Sequence, residues 1–211
     1  MGVPSVFLRL ATCNLSCAWC DTKYTWDWQN FDYHTEVVEI ETSEIQQKIQ
    51  AFDCSHVVIT GGEPLLQQAE LTKLVESLEF EGYTFEVETN GTIAPLPGML
   101  EHVGQWNVSP KLRTSGNPSG KTHVPPAIEA FTRLPEAYFK FVITGESDVE
   151  EVCALRDRYK LKPSRVLLMP EGRTPDALQK KSEWLSGECV KHGFRFTTRL
   201  HILLWGDERG R

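Results

Sequence analysis

The chain has 211 residues, 40% of them hydrophobic and 24% charged, a length that suits one domain of ordinary size built on a single core. Its 22 Lys and Arg against 29 Asp and Glu leave a net charge of −7, so the overall balance carries no footprint for nucleic acid or an anionic membrane. No run approaches the roughly 20 apolar residues of a membrane span, and the N-terminus lacks the basic and apolar regions of a secretory signal, which leads us to expect a cytoplasmic protein.

In chain order, "SVFLRL" (Ser5 to Leu10) reads as a strand that delivers the chain into "CNLSCAWCDT". "TSEIQQKIQAF" reads as a first helix, with Ser43 and Gln46 as a capping box and Ile45, Ile49 and Phe52 on one face. "HVVIT" (His56 to Thr60) is a second strand, and Leu71, Leu74, Val75 and Leu78 repeat at amphipathic helical spacing. Strands follow at Thr84 to Glu88 and near Trp106 to Val108, then a Pro- and Gly-rich stretch, Asn117 to Pro126, and a helix from Ala127. "YFKFVIT" (Tyr138 to Thr144) is the clearest strand. A helix from Asp148 to Tyr159, a strand from Val166 to Met169 and a helix with Thr174 and Pro175 at its cap and first turn complete the pattern. About six strand-then-helix units imply parallel pairing, in a doubly wound sheet or in a full or partial β/α barrel, with no linker that divides residues 1–211.

Three of the six cysteines, Cys13, Cys17 and Cys20, fall within one loop. Random placement would give about 0.005 such triplets, so the cluster is read as a site, and Cys54, Cys153 and Cys189 as buried small hydrophobes. A structural zinc wants a fourth ligand from a second pair that the sequence lacks, and His34 is merely the nearest spare imidazole. Three thiolates suit a 4Fe-4S cluster whose fourth iron is left open. Trp19 is placed to shield such a cluster, and Asp21 and Thr22 add oxygen atoms beside it. A Gly-Gly-Glu-Pro turn, "TGGEP", follows the second strand, and "ETNG", "SPK", "ITGE" and "MPEG" follow later strand ends, the rim where β/α barrels build their sites.

The C-x-x-x-C-x-aromatic-C spacing resembles the signature of radical S-adenosylmethionine enzymes. With "FLRLATCNLSCAWCDT", "TGGEP", "ETNG", "SPK", "LLMPEG" and "LHILLWGDERG", nearly the whole chain resembles the 7-carboxy-7-deazaguanine synthase family. That resemblance implies a partial (open) β/α barrel and three cofactors: a 4Fe-4S cluster on Cys13, Cys17 and Cys20, S-adenosylmethionine, and Mg2+ held in part by Thr22. It implies cofactor contacts from Gly62, Ser109, Pro110, Lys111, Met169, Pro170, Glu171 and Gly172, and substrate contacts from Arg9, Thr60 and His201. It further implies a segment ending in a "QGEG"-like motif ahead of "MGVPSVF", contributing to the substrate site.

The reaction so implied begins with reductive cleavage of S-adenosylmethionine to a 5′-deoxyadenosyl radical. The radical takes hydrogen from 6-carboxy-5,6,7,8-tetrahydropterin, whose ring contracts with loss of ammonia to 7-carboxy-7-deazaguanine in queuosine and 7-deazapurine biosynthesis. A flavodoxin- or ferredoxin-like electron donor and a homodimer are expected on the same ground. Two alternatives share the cysteines: a glycyl-radical activating enzyme, and an iron-sulfur electron-transfer or zinc-binding interaction module. The second leaves "TGGEP" and the polar strand ends unused.

Overall fold

The structure, a computed structural model, describes residues 2–209. Seven strands run β1 (Val6–Leu10), β2 (His56–Gly61), β3 (Thr84–Thr89), β4 (Gln105–Val108), β5 (Ala137–Ile143), β6 (Val166–Pro170) and β7 (Arg195–Phe196). They lie side by side in chain order, each parallel to the next. Parallel crossovers share one hand, so strands that always add on the same side keep their helices on one face and leave the other uncovered. The sheet is therefore an open barrel, as the sequence led us to expect.

The covered face carries Val57, Ile59, Phe85, Val87, Trp106, Val108, Phe139, Phe141, Val166 and Leu168, all buried. Against it pack the helices α1 (Thr42–Gln50), α2 (Gln68–Glu79), α3 (Pro97–His102), α4 (Pro125–Thr132), α5 (Glu146–Tyr159) and α6 (Pro175–His192); α7 (Leu200–Trp205) follows the last strand. Alternate strand residues point to the open face: Arg9, Thr60, Glu86, Glu88, Asn107, Tyr138, Lys140 and Met169. Period-two alternation thus gives the sheet one apolar side and one polar, concave side.

Several expectations hold closely. Leu71, Leu74, Val75 and Leu78 are the buried stripe of α2. Thr174 caps α6, its side chain accepting from the Ala177 N–H, with Pro175 in the first turn. Others are corrected. The described residues form seven strands where about six were expected, because β7 is only two residues long and leaves no periodic trace. The Ser43–Gln46 capping box does not form: α1 starts at Thr42, placing Ser43 inside the first turn, and Gln46 instead donates to Glu81 at 2.8 Å. Phe52 lies beyond that helix and is 60% exposed. Of the three scattered cysteines only Cys189 is buried; Cys54 and Cys153 are partly exposed, the latter 3.6 Å from His192 Nδ1.

Candidate active site

β1 ends in the cysteine loop, and the turn begins with Thr12 at φ 77°, a left-handed conformation rare for a β-branched residue. The surroundings hold it there: Thr12 N–H donates to Thr25 O at 2.6 Å, and Thr12 O accepts from Glu63 N–H at 2.9 Å. Backbone strain of this kind persists only where neighbours over-determine it, and here it turns the chain directly into Cys13. Leu15 is buried as the loop's apolar anchor, and Ala18 N–H is tied to Ser115 O at 2.9 Å.

All six cysteines are free thiols. Each sulfur of the triplet is met by hydrogen-bond donors. Cys13 Sγ accepts from the Leu15 N–H at 3.5 Å, with Asn90 Nδ2 at 4.0 Å; Cys17 Sγ accepts from Asn117 Nδ2 at 3.3 Å; Cys20 Sγ accepts from Trp26 Nε1 at 3.3 Å and lies 3.6 Å from Thr22 Oγ1. Burial pushes the Cys13 thiol up to about 11 and raises Cys17 also. Desolvation disfavours a bare thiolate, whereas the aimed N–H groups suit sulfurs whose charge is shared with a metal.

Trp19 Nε1 is a buried N–H without an acceptor among the described residues, another sign that the loop suits a bound acceptor. Among the described residues no three His, Cys, Asp or Glu side chains converge tightly enough to hold one ion. Ligands of a multi-iron cluster bind separate irons and do not need to converge, so the donor set and the N–H groups fit a 4Fe-4S cluster.

The "TGGEP" turn packs against that loop backbone to backbone. A Cβ on Gly61, at φ +145°, would stand 2.1 Å from Leu10 O, and one on Gly62 2.1 Å from Thr12 O and 3.0 Å from Cys13 Cβ. Only glycine allows the approach. Glu63 is fully buried and accepts from Leu65 N–H at 3.0 Å, Thr89 Oγ1 at 2.8 Å and Asn90 N–H at 2.7 Å. Its carboxyl is raised by burial, although these donors oppose the shift. It joins the turn after β2 to the turn after β3, whose Asn90 in turn holds Asn14 at 2.8 Å.

After β4, Ser109 is buried and Lys111 donates to Ser109 Oγ at 2.9 Å, its ammonium 5.7 Å from the Trp19 ring centroid. Pro110 is buried between them. At the end of β6, Met169 lies on the open face and Pro170 on the covered one, while beyond the strand the Glu171 carboxylate turns away to Lys181 at 2.8 Å. The Gly172 carbonyl accepts from Arg199 Nη1 at 2.7 Å. Arg199, 9% exposed, also pairs with Asp21, so the oxygen expected beside the cluster is engaged by the C-terminal segment. Thr22 begins the short turn at Lys23–Thr25, its carbonyl accepting from Thr25 Oγ1 at 2.8 Å.

On the open face Arg9 stands opposite Thr60, which donates to Glu88 at 3.1 Å, and Lys140 donates to the other Glu88 oxygen at 2.6 Å. The Lys140 ammonium holds the Glu88 carboxyl down at about 2, and Arg9 acts in the same direction. His201 on α7 lies 3.5 Å from Arg199 and is lowered by burial and then by that guanidinium, favouring a neutral imidazole. The structure thus brings Arg9, Thr60, Glu88 and Lys140 together. His201 reaches this group through charge, sensing Arg9, Asp21 and Asp207. Gly210, the last residue of the terminal motif, lies outside the described residues.

Glu88 gives a prediction with a definite sign. Its folded value, about 2, lies below the ordinary 4.5, so its stabilising contribution is present above pH 4.5 and is lost as pH falls through about 2. With the side chain 33% exposed, solvent screening reduces that contribution to about 2 kcal/mol. Urea titrations from about pH 6 down to about pH 3 should show the gap between wild type and Glu88→Gln shrinking. A gap that widens on acidification contradicts the ion pair.

Sequence reasoning did not find Asn117, Trp26, Arg199 or Lys140. Asn117 was hidden in a stretch rich in Pro and Gly, and its contact with Cys17 spans 100 residues, so no local spacing announces it.

The Radical SAM superfamily profile matches residues 9–108. Over its whole length the chain is 38% identical to a 7-carboxy-7-deazaguanine synthase of Pyrobaculum aerophilum, covering 90% of that protein. It is 37% identical to one of Hyperthermus butylicus, with 96% of this chain and 85% of that protein aligned. Among solved structures it is similar to QueE from Escherichia coli, with TM-score 0.67 and 26% identity over 94% of this chain and 86% of the other.

Proposed function

Because the chain belongs to the 7-carboxy-7-deazaguanine synthase family of the radical S-adenosylmethionine superfamily, we propose that it converts 6-carboxy-5,6,7,8-tetrahydropterin to 7-carboxy-7-deazaguanine with loss of ammonia, a lyase step in queuosine and 7-deazapurine biosynthesis. One observation carries the reading into this chain's own residues: the thiol loop and the charged group Arg9, Thr60, Glu88 and Lys140 open from the same C-terminal edge of one sheet.

Cys13, Cys17 and Cys20 hold the 4Fe-4S cluster. The turns at Gly62, Ser109–Lys111 and Met169–Gly172 hold S-adenosylmethionine, with Glu171 contributing backbone, since its carboxylate is committed to Lys181. When bound, cluster and cofactor together supply the one-electron chemistry that starts hydrogen removal from the substrate. Arg9 offers a guanidinium fork to the substrate carboxylate, and Glu88, kept ionised by Lys140, offers acceptors to N–H groups of the heterocycle. Neutral His201 closes the side toward the C-terminus. Thr22 would supply one oxygen to Mg2+, a hard cation that prefers oxygen ligands.

Residues 1–211 act as one domain in this reading, as a homodimer fed by a flavodoxin- or ferredoxin-like donor in the cytoplasm, without nucleic acid or membrane. No helix among the described residues is long and apolar enough to cross a membrane.

The test is anaerobic reconstitution with iron and sulfide, then dithionite, S-adenosylmethionine, Mg2+ and 6-carboxytetrahydropterin, with products read by mass spectrometry. Formation of 7-carboxy-7-deazaguanine, lost when Mg2+ is omitted, is the expected result. Cleavage of S-adenosylmethionine without that product would overturn the substrate assignment.

A further inference from the structure

The donors around the cysteine sulfurs are unequal. Cys13 has a backbone N–H at 3.5 Å and a side-chain amide, that of Asn90, only at 4.0 Å, whereas Cys17 and Cys20 each receive a side-chain N–H at 3.3 Å, from Asn117 and Trp26. Neither side chain belongs to the cysteine motif or to the strand-end motifs.

The chemistry of both donors is fixed. An indole nitrogen only donates, so Trp26 Nε1 has one role toward Cys20 Sγ. An amide is reversible in principle, but the Asn117 oxygen accepts from the Ser16 N–H at 2.8 Å, and a backbone N–H also only donates. The amide nitrogen is thereby turned to Cys17. Asn117 is 9% exposed and fastened to Ser115 as well, so bulk water does not compete freely for the contact.

We propose that Asn117 and Trp26 set the reduction potential of the cluster, by directing N–H dipoles at two of its three sulfur ligands and so stabilising the added electron. This rests on the assignment of the cluster to Cys13, Cys17 and Cys20. Hydrogen bonds to ligand sulfurs stabilise the more negative, reduced state and raise the potential. The two residues act through the cysteines, as positioning residues.

Two substitutions isolate the N–H groups. Trp26→Phe removes the indole donor and leaves most of the ring. Asn117→Leu removes the amide donor from a side chain of nearly the same shape and adds no charge beside Cys17. Both proteins and the wild type are reconstituted anaerobically, assayed for iron and sulfide per chain, and titrated against redox mediators with the reduced cluster read by electron paramagnetic resonance.

At a fixed potential each substitution is expected to lower the ratio of reduced to oxidised cluster about tenfold, equivalent to about 59 mV for one electron. A full iron load with an unchanged ratio in both variants would overturn the proposal. Loss of iron from both would overturn it too, by making the residues structural clamps of the loop; if only one loses iron, the other decides. A wild-type chain that takes up no four-iron cluster would instead defeat the ligand assignment on which the proposal stands, and that outcome is visible before any potential is measured.

Discussion

Replacing Glu63 with alanine is expected to remove about 4 kcal/mol of folding free energy, among the largest effects a single substitution has. The carboxylate is completely buried, and its loss strands three donors: the Leu65 and Asn90 N–H groups and the Thr89 hydroxyl. Each buried donor left without a partner costs about 1–3 kcal/mol, less than additively when they share one cavity. Glu63→Gln should cost about half as much, because one of its amide hydrogens must face a donor. Urea denaturation gives the difference directly. If the alanine variant lost less than about 1 kcal/mol, water would have to replace the carboxylate, and the clamp between the two turns would not be energetic.

Gly62→Ala is the second large effect, and its cause is steric. The added Cβ meets Thr12 O at 2.1 Å and Thr12 C at 2.5 Å, and these are backbone atoms rather than the yielding end of a side chain. Thr12 already sits at φ 77° and is held there by its hydrogen bonds to Thr25 and Glu63, so its backbone is not free to yield. The strain should cost about 3 kcal/mol and move Cys13, so iron bound per chain after reconstitution should fall along with stability. The contrasting substitution is Gly187→Ala, inside α6 with nothing within 4 Å of the new Cβ. It should stabilise the protein by about 1 kcal/mol through helix propensity alone and leave iron content unchanged. Equal behaviour of the two variants would show that crowding at Gly62 is relieved elsewhere.

The parts of this site that could be read from sequence are those whose reason is local. Three cysteines in one loop, a double glycine at a strand end and a Thr-Pro helix start each declare themselves within a few residues; the structure has the three thiols free, the first of the two glycines as the last residue of β2 and Thr174 capping α6. What was not legible is the set of residues that supports them. Asn117 reaches Cys17 across 100 residues and Lys140 reaches Glu88 across 52, from segments whose spacing suggested only a loop and a strand. Glu63 was visible as part of a turn, but its burial was not, because a glutamate next to a proline gives no hint that three donors will close around it. The failed capping box at Ser43 shows a different limit. Glu41 and Thr42 are also compatible with a helix start, and the contact of Gln46 with Glu81 across to the end of α2 favours the earlier one.

The pairing of Arg199 with Asp21 closes a loop of 178 residues. On the ribosome the cysteine loop is made first, and the guanidinium that fastens the adjoining aspartate follows 178 residues after that aspartate. Loop closure over such a separation is slow and forms late. While the intervening residues are being made the three thiols are therefore present without this tether, and the Asp21 side of their loop is fixed only when the start of α7 is in place.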